Sequence, residues 1–578
     1  MTEDNIGDPL HILSGTDVSD LGTTSLGETL DSLLGVTTSD YGSAVGQPII
    51  RGLSGSRVKV LTNGLVNRDV AGIGADHKNE VDLNDIQQIE VVRGPSSLLY
   101  ANGATGGIVN IVDNTIATSD VEKRLFKLGF ETQSVNSGDG QSFSVADNLG
   151  GLNLYFSYSD SSFGNYDIPS GAVLHEEEEH HDDDHGDDDH DDHDEHEEDK
   201  GYLDNSDSAQ EATRFGVSKV ADWGYVGLAV SSSESIFGVP YHGEGHEGHG
   251  DEHGDEEEGH DEHEGERIFS NTESDKVNIR GQIGKVDFFF QDSEYSHTEQ
   301  HAEEEHGDEH GDEDGDHDDH GHGEEGPTTF SNDSSEFGFI VDLSNDLMTQ
   351  KVSLNSSDET VKIFGDEAFM NPADREELTI GYFAKRDFDM FEVSFGVRYD
   401  QIDTSGSLTE HHEEDGHDED DHDEDHEEHE EETTNYSFDS SNLSFALDLS
   451  RPLNENLNLN LGYSNVERAP SVVELFMNGP HLATGRFETG DVNLGTETSS
   501  NFDIGLSYEA DNTYASLTIF RNDVDNYIYL MDMHDEDDHD DHMEAMDEDD
   551  HDEDHDDHGH AEGLIPANYM QQNAELNG

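Results

Sequence analysis

Long segments in which apolar and polar residues alternate constrain this chain more than any other feature. In "LNLYFSYS", Leu152, Leu154, Phe156 and Tyr158 fall on one side, and Asn153, Tyr155, Ser157 and Ser159 on the other. "NLNLNLGYS" sets Leu457, Leu459, Leu461 and Tyr463 against Asn456, Asn458 and Asn460. "NFDIGLSYE" sets Phe502, Ile504, Leu506 and Tyr508 against Asp503, Gly505 and Ser507. A period of two is that of a β-strand. Strands of about 10 residues with one apolar and one polar face suit a membrane barrel, lipid outside and water within. Soluble antiparallel sheets share the period, but give no reason for the very unequal connections between these strands. Short turns such as "SRPLNENL" alternate with five long acidic inserts at about 175–199, 242–266, 297–326, 409–432 and 532–560. Such inequality is what an outer-membrane barrel requires, with short turns on one rim and long loops on the other.

The first 118 residues follow a different plan. "TTSLGETLDSLLGV" places Leu26, Leu30, Leu33 and Leu34 at helical spacing behind a threonine cap signal, which predicts a short helix. "RVKVLTNGLVN" reads as strand, Asn-Gly turn and strand. "IQQIEVVRGPSSLLYANGATGGIVNIVDN" reads as strand, Gly-Pro break, short apolar helix, glycine-rich turn and strand. This predicts an α+β domain over residues 1–118, followed by the strand-rich region 119–578.

The inserts carry the unusual chemistry. Residues 175–199 hold 7 histidines and 17 carboxylates with no apolar residue, a composition that cannot build a core. The five inserts hold 7, 6, 7, 6 and 7 histidines, which leaves only His11, His77 and His481 of the 36 elsewhere. Acidic drift alone would add Asp and Glu but no His. Imidazole binds Zn, Cu and Ni well, so the inserts read as metal-capturing segments. His175, His180, His181, His185, His190, His193 and His196 illustrate the pattern: overlapping, exchangeable donors with no packing residues to fix one geometry. That describes a low-selectivity reservoir.

Several functions are excluded. The formal charge of −113 repels phosphate and removes nucleic acid as a partner. With no cysteine there are no disulfides, thiolate metal sites or thiol nucleophiles, and any metal is held by nitrogen and oxygen. No uninterrupted apolar run reaches the roughly 18 residues of a membrane helix. "NGATGG" lacks the Lys-Ser/Thr pair of a phosphate loop. No catalytic constellation is visible, so neither an enzymatic activity nor a resident cofactor is expected.

"IEVVRGPSSLLYANGATGGIVNIV" (residues 89–112) resembles the plug-domain signature of TonB-dependent outer-membrane receptors, and the alternating strands that follow resemble their barrel. Within that family the resemblance is to zinc-uptake receptors. It rests on "HILSGTDV", "GQPIIRGLSGSRVKVLTNGL", "GADHKNEVDLNDIQQIEVVRGP" and "ERAPSVVELFMNGPHLATGRFETGD", together with the histidine-rich loops. The resemblance implies a 22-stranded transmembrane antiparallel β-barrel in outer-membrane lipid, with an N-terminal α+β plug inside it. It also implies import of a divalent metal, zinc first, powered by the TonB–ExbB–ExbD complex. On that plan the N-terminus, with neither signal peptide nor TonB-contacting segment, is expected to be incomplete. Roughly 16 to 18 strand candidates, at the strand lengths usual for such barrels, leave the C-terminal side several strands short. Other cargoes stand as alternatives: copper, nickel, or a chelate such as a siderophore or haem. So does a surface metal buffer that does not transport. The inserts have almost no aromatic or arginine residues, which disfavours a siderophore.

The resemblance also implies an ordered metal site. Asp76 and His77 in "GIGADHKNE" match a metal-binding Asp-His pair of the zinc receptors, and His481 in "NGPHLATG" matches a metal-binding histidine. The remaining carboxylate is not identified by the motifs. Glu474 and the stretch "YHGEGHEGH", with His242, His246 and His249, are candidates. Arg93 is expected to pair with a barrel carboxylate such as Glu497 and so hold the plug.

Overall fold

A computed structural model describes residues 11–22, 25–42, 44–169, 172, 201–240, 268–301, 326–365, 368–410, 432–481, 484–510, 513–533 and 564–578. The N-terminal region forms a five-stranded sheet in the order His11–Ser14, Ile86–Val92, Gly107–Asp113, Val58–Thr62, Leu65–Val66. Asn63 and Gly64, at φ 53° and 82°, make the tight turn that the Asn-Gly pair predicts. The expected helix is shorter than its leucine spacing suggested. It spans Leu26–Leu30 and is capped by Ser25 rather than a threonine. Leu34 is exposed, because the chain turns into a strand at Val36. The "SSLL" segment makes only one 3₁₀ turn, Ser97–Leu99. Leu26, Leu30, Ile50, Val60, Ile89, Val91, Val109 and Ile111 fill the core of this domain.

Among the described residues, eighteen further strands form one sheet that wraps around it as a barrel, from Leu125–Thr132 to Ile565–Asn577. Two of them, Asn478–His481 and Arg486–Thr489, are four-residue pieces of one connection. The faces are sorted opposite to those of a soluble protein. Asn153 and Ser157 are 2% and 5% exposed, whereas Phe502, Ile504 and Leu506 are 48%, 39% and 37% exposed. Polar side chains line the interior and apolar ones cover the outside, as lipid demands. Four insert-bearing connections join Leu152–Phe163 to Ser208–Ala221, Gly224–Gly238 to Ile268–Ile283, Val286–His301 to Thr328–Asp342, and Phe391–Glu410 to Glu432–Asn454. The fifth joins Thr513–Asp532 to Ile565–Asn577. Alternate connections of an antiparallel sheet share a rim, so all five leave from one end of the barrel. The other rim carries short turns such as Gly150–Gly151.

Buried ion pairs fix the inner domain to the wall. Arg57 grips Glu497 through two hydrogen bonds of 2.9 and 2.6 Å, donates to the carbonyl of Ile528, and lies over the Tyr527 ring. Arg468 reaches the same carboxylate at 3.2 Å. The expected partner of Glu497 is therefore corrected: it is Arg57, while Arg93 lies buried nearer Asp448 and Asp503. Arg57 stands on the short turn that precedes Val58–Thr62 and points outward to the wall. Replacing it with alanine leaves Glu497 with Arg468 as its remaining charge partner and should cost about 1.5–3 kcal/mol of stability. Limited proteolysis and thermal unfolding of the purified chain should show earlier release of the inner domain. Unchanged protection would assign the anchoring to other contacts.

Candidate metal centre

Residues 67–85, between two strands of the inner domain, form a loop that reaches the insert-bearing end. The Gln47 amide nitrogen sits within 2.6–2.8 Å of the carbonyls of Ala71, Gly74 and His77 and gathers this loop from beneath. Asp69 accepts from the backbone N–H groups of Ala71 and Glu80. Pinned this way, Asp76 and His77 are 3% and 0% exposed. Gly74 is required beside them, since a Cβ there would collide with the Asp76 carboxylate and crowd His481.

His481 comes from the long connection after strand Leu457–Arg468 and is 1% exposed. Its Nδ1 faces Glu488 at 2.9 Å, which accounts for a proton on that nitrogen and turns Nε2 toward the loop. His481 Nε2 and His77 Nε2 each lie 3.4 Å from the same Asp76 oxygen. Donors 2.0–2.2 Å from a tetrahedral zinc are separated by about 3.3–3.5 Å, so the spacing suits such an ion. Both carboxylate oxygens of Asp76, both ring nitrogens of His77 and Nε2 of His481 lack a hydrogen-bond partner. Five buried polar atoms in this condition are costly unless something binds them.

A second group abuts the first. His77 Nδ1 faces Glu299 at 3.7 Å, and His297 Nε2 lies 3.0 Å from the same oxygen. His297 is fully buried, with Ser270 and Thr272 on its ring nitrogens at 2.8 and 3.2 Å. Asp76, His77 and His481 converge within 4.8 Å, and so do His77, His297 and Glu299. His77 belongs to both. Phe237, Phe330 and Phe369 pack around the three imidazoles and keep bulk water away.

Burial lowers the pKa of His77 to about 4, with neighbouring imidazoles adding to the effect. Burial would also lower that of His481, but Asp76 and Glu488 outweigh it and hold the ring protonated well above the usual range. For Asp76 burial acts upward, and the two histidines overcome it, so the carboxylate stays ionised.

The structure thus brings Asp76, His77 and His481 together but not Glu474. That residue caps helix Val472–Phe476 and is held by Arg468 at 2.9 and 3.1 Å, which occupies its carboxylate. His242, His246 and His249 lie outside the described residues, as do the seven reservoir histidines of 175–199. The insert expected at 297–326 starts later than its composition suggests. Strand Val286–His301 carries His297 and Glu299 into the wall, so His297 is an ordered side chain rather than part of a reservoir.

The sequence matches the TonB-dependent receptor plug domain over residues 3–108 and the TonB-dependent receptor-like β-barrel over residues 263–541. Among solved structures it is similar to the hemophore receptor HasR of Serratia marcescens, in complex with its hemophore and heme. The TM-score is 0.66 at 12% identity, over 98% of this chain and 78% of that one. It is similar to the copper transporter OprC, with a TM-score of 0.66 at 13% identity over 98% and 76% of the two chains. The FrpB iron transporter of Neisseria meningitidis gives 0.59 at 13% identity over 90% and 73%. At these identities the likeness is one of fold. With both sequence matches falling on the domains just described, the chain belongs to the TonB-dependent receptors, the plugged β-barrel transporters of the bacterial outer membrane.

Proposed function

We propose that this receptor imports a bare divalent metal ion, zinc in the first place, through the centre around His77. The observation that carries the reading is the set of buried atoms on Asp76, His77 and His481 that make no hydrogen bond and converge within 4.8 Å, with both imidazole nitrogens 3.4 Å from one carboxylate oxygen. Two imidazoles and a carboxylate with an open fourth position suit zinc that must later be released. Glu299 is the carboxylate that the motifs did not supply, and His297 adds a third imidazole. Receptors of this family are powered by TonB–ExbB–ExbD. The acidic, histidine-bearing inserts, by composition, concentrate cations above the centre.

Copper is the second reading, because imidazole serves both ions. A siderophore or haem is disfavoured, since the donors are almost fully buried and packed against three phenylalanines, which suits a bare ion. The test is zinc and copper titration of the whole receptor with Asp76, His77 and His481 replaced by alanine together. Loss of the tight stoichiometric phase, with weak multi-site binding retained, is expected. Tight binding that survives the triple replacement would remove the centre from the mechanism. Preference for copper at equal ionic strength and pH would establish the second reading.

A further inference from the structure

Beneath the metal centre the wall of the barrel forms a ladder. Along strand Gly224–Gly238 alternate side chains face inward and step down the wall at about 6.6–6.8 Å each. Phe237 comes first, its ring 5.8 Å from that of His297. Ser235 follows and accepts a 2.9 Å hydrogen bond from Lys78 Nζ. Ser233 is next and donates to Glu80 at 2.7 Å. Glu80 and Ser233 then border a cavity of about 660 Å³ between plug and wall. Its far end is lined by Lys123 and Leu125, both exposed at the rim of short turns.

Two features suit this space to a hydrated cation. The hydroxyl of Ser274 and the amide oxygen of Asn278, both lining it, have no protein partner, nor does the second oxygen of Glu80, which only faces Lys78 at 3.5 Å. Six carboxylates line the cavity against five bases, and two of those bases are paired, Arg214 with Asp82 and Asp113 and Lys127 with Asp85, which leaves Lys123, Lys276 and Arg280. Between the cavity and the metal centre stands the ammonium of Lys78, adjacent in sequence to His77, 9% exposed and facing Glu80 at 3.5 Å, so that it occupies the carboxylate a passing cation would meet. A cation moving down the wall must displace this ammonium from Glu80 and Ser235.

We propose that the bound cation leaves down this ladder, from the His77 centre past Lys78 and Glu80 into the cavity, and that Lys78 is a tethered cation that keeps the step shut. Opening requires loop 67–85 to part from strand Gly224–Gly238, which withdraws the ammonium from Ser235 and exposes Glu80 as the next oxygen ligand. The inference rests on the metal-import reading above and adds a route and a gate to it.

The absence of cysteine makes the test clean. A Val81→Cys/Gln210→Cys pair, bridged like its control by a short bis-methanethiosulfonate, ties the loop to the wall beside the proposed step, where the Gln210 amide lies 3.4 Å from the Val81 carbonyl. An Asn102→Cys/Glu377→Cys pair ties the plug elsewhere, where the two side chains are hydrogen-bonded at 2.7 Å. TonB-energised uptake of radioactive zinc is measured in cells before and after dithiothreitol, with cross-linking followed by thiol titration. The first lock should reduce uptake at least tenfold and reductant should restore it, while the second should change it less than twofold. Uptake through the first lock, or equal block by both, overturns the route.

The gate is tested without any cross-link. A cationic methanethiosulfonate reagent applied from outside should modify a Ser231→Cys variant at least tenfold faster when Lys78→Ala is added. An unchanged rate overturns it. Zinc binding and uptake by the unsubstituted receptor are measured in parallel. If they are absent, the import reading fails while the labelling still reports the path.

Discussion

Replacing His77 with alanine should lower the zinc affinity of the receptor by more than about 100-fold, beyond what is usual for losing a residue that only orients a ligand. The expectation follows from its position. Nε2 faces Asp76 and His481, Nδ1 faces Glu299 and His297, and neither nitrogen has a hydrogen bond to lose. Removing the ring leaves two donors on each side, too few for a closed site. A neutral imidazole offers one lone pair, so the two groups hold one ion at a time rather than two. Titration against a competing chelator should accordingly give one tight ion per receptor. His77→Ala should abolish it, whereas His297→Ala, which spares the Asp76 side, should weaken it less. Because the ring is fully buried against His297, Phe330 and His481, its removal also leaves a cavity and should lower the thermal stability of the metal-free protein, so a His77→Phe variant, which fills the space without a donor, is titrated beside it. An affinity within about threefold of the original would show that His77 is packing and not a ligand.

How much of this was legible in the sequence depended on whether a local pattern expressed the constraint. Alternation exposed the barrel because each wall strand has lipid on one side and a polar interior on the other, as at Asn153 and Phe502. The Asp76, His77 and His481 group was reachable through motif resemblance alone, since the distances between them are set by tertiary packing. His297 and Glu299 were concealed by the acidic, histidine-rich run that begins where their strand ends. The signal was nevertheless present: Gln291, Ser293, Tyr295, His297 and Glu299 continue one face of the alternation. Glu474 was misread for a related reason. "SVVE" is a capping-box pattern, and the carboxylate it offers is consumed by the helix terminus and Arg468. Arg93 and Arg57 could not be told apart, because which arginine faces the wall depends on how the plug is rotated in the barrel.

The pH dependence of binding should separate the centre from the inserts. In the metal-free receptor Asp76 and Glu488 hold His481 protonated well above the ordinary histidine range, against the opposing effect of burial. Zinc needs its Nε2 lone pair, while Nδ1 keeps its proton for Glu488, so binding releases one proton from this ring. His77, lowered to about 4 by burial, is already neutral and releases none between pH 5 and 7.5. Asp76 stays ionised throughout and adds no slope. The sign is therefore fixed: affinity rises with pH, by about tenfold per unit for one displaced proton, and falls roughly 300-fold from pH 7.5 to 5. The insert histidines should instead lose capacity as pH falls through the reference imidazole range, roughly 6.5, because metal must displace their protons. Chelator competition across that range should resolve a tight phase of unit slope from a weak phase that collapses near pH 6.5. A Glu488→Gln variant removes one of the two carboxylates that hold the proton on His481, so the tight phase should flatten toward the upper end of the range. A tight phase without slope would mean that His481 binds no metal, and a slope of two would mean that a second imidazole is protonated in the free receptor.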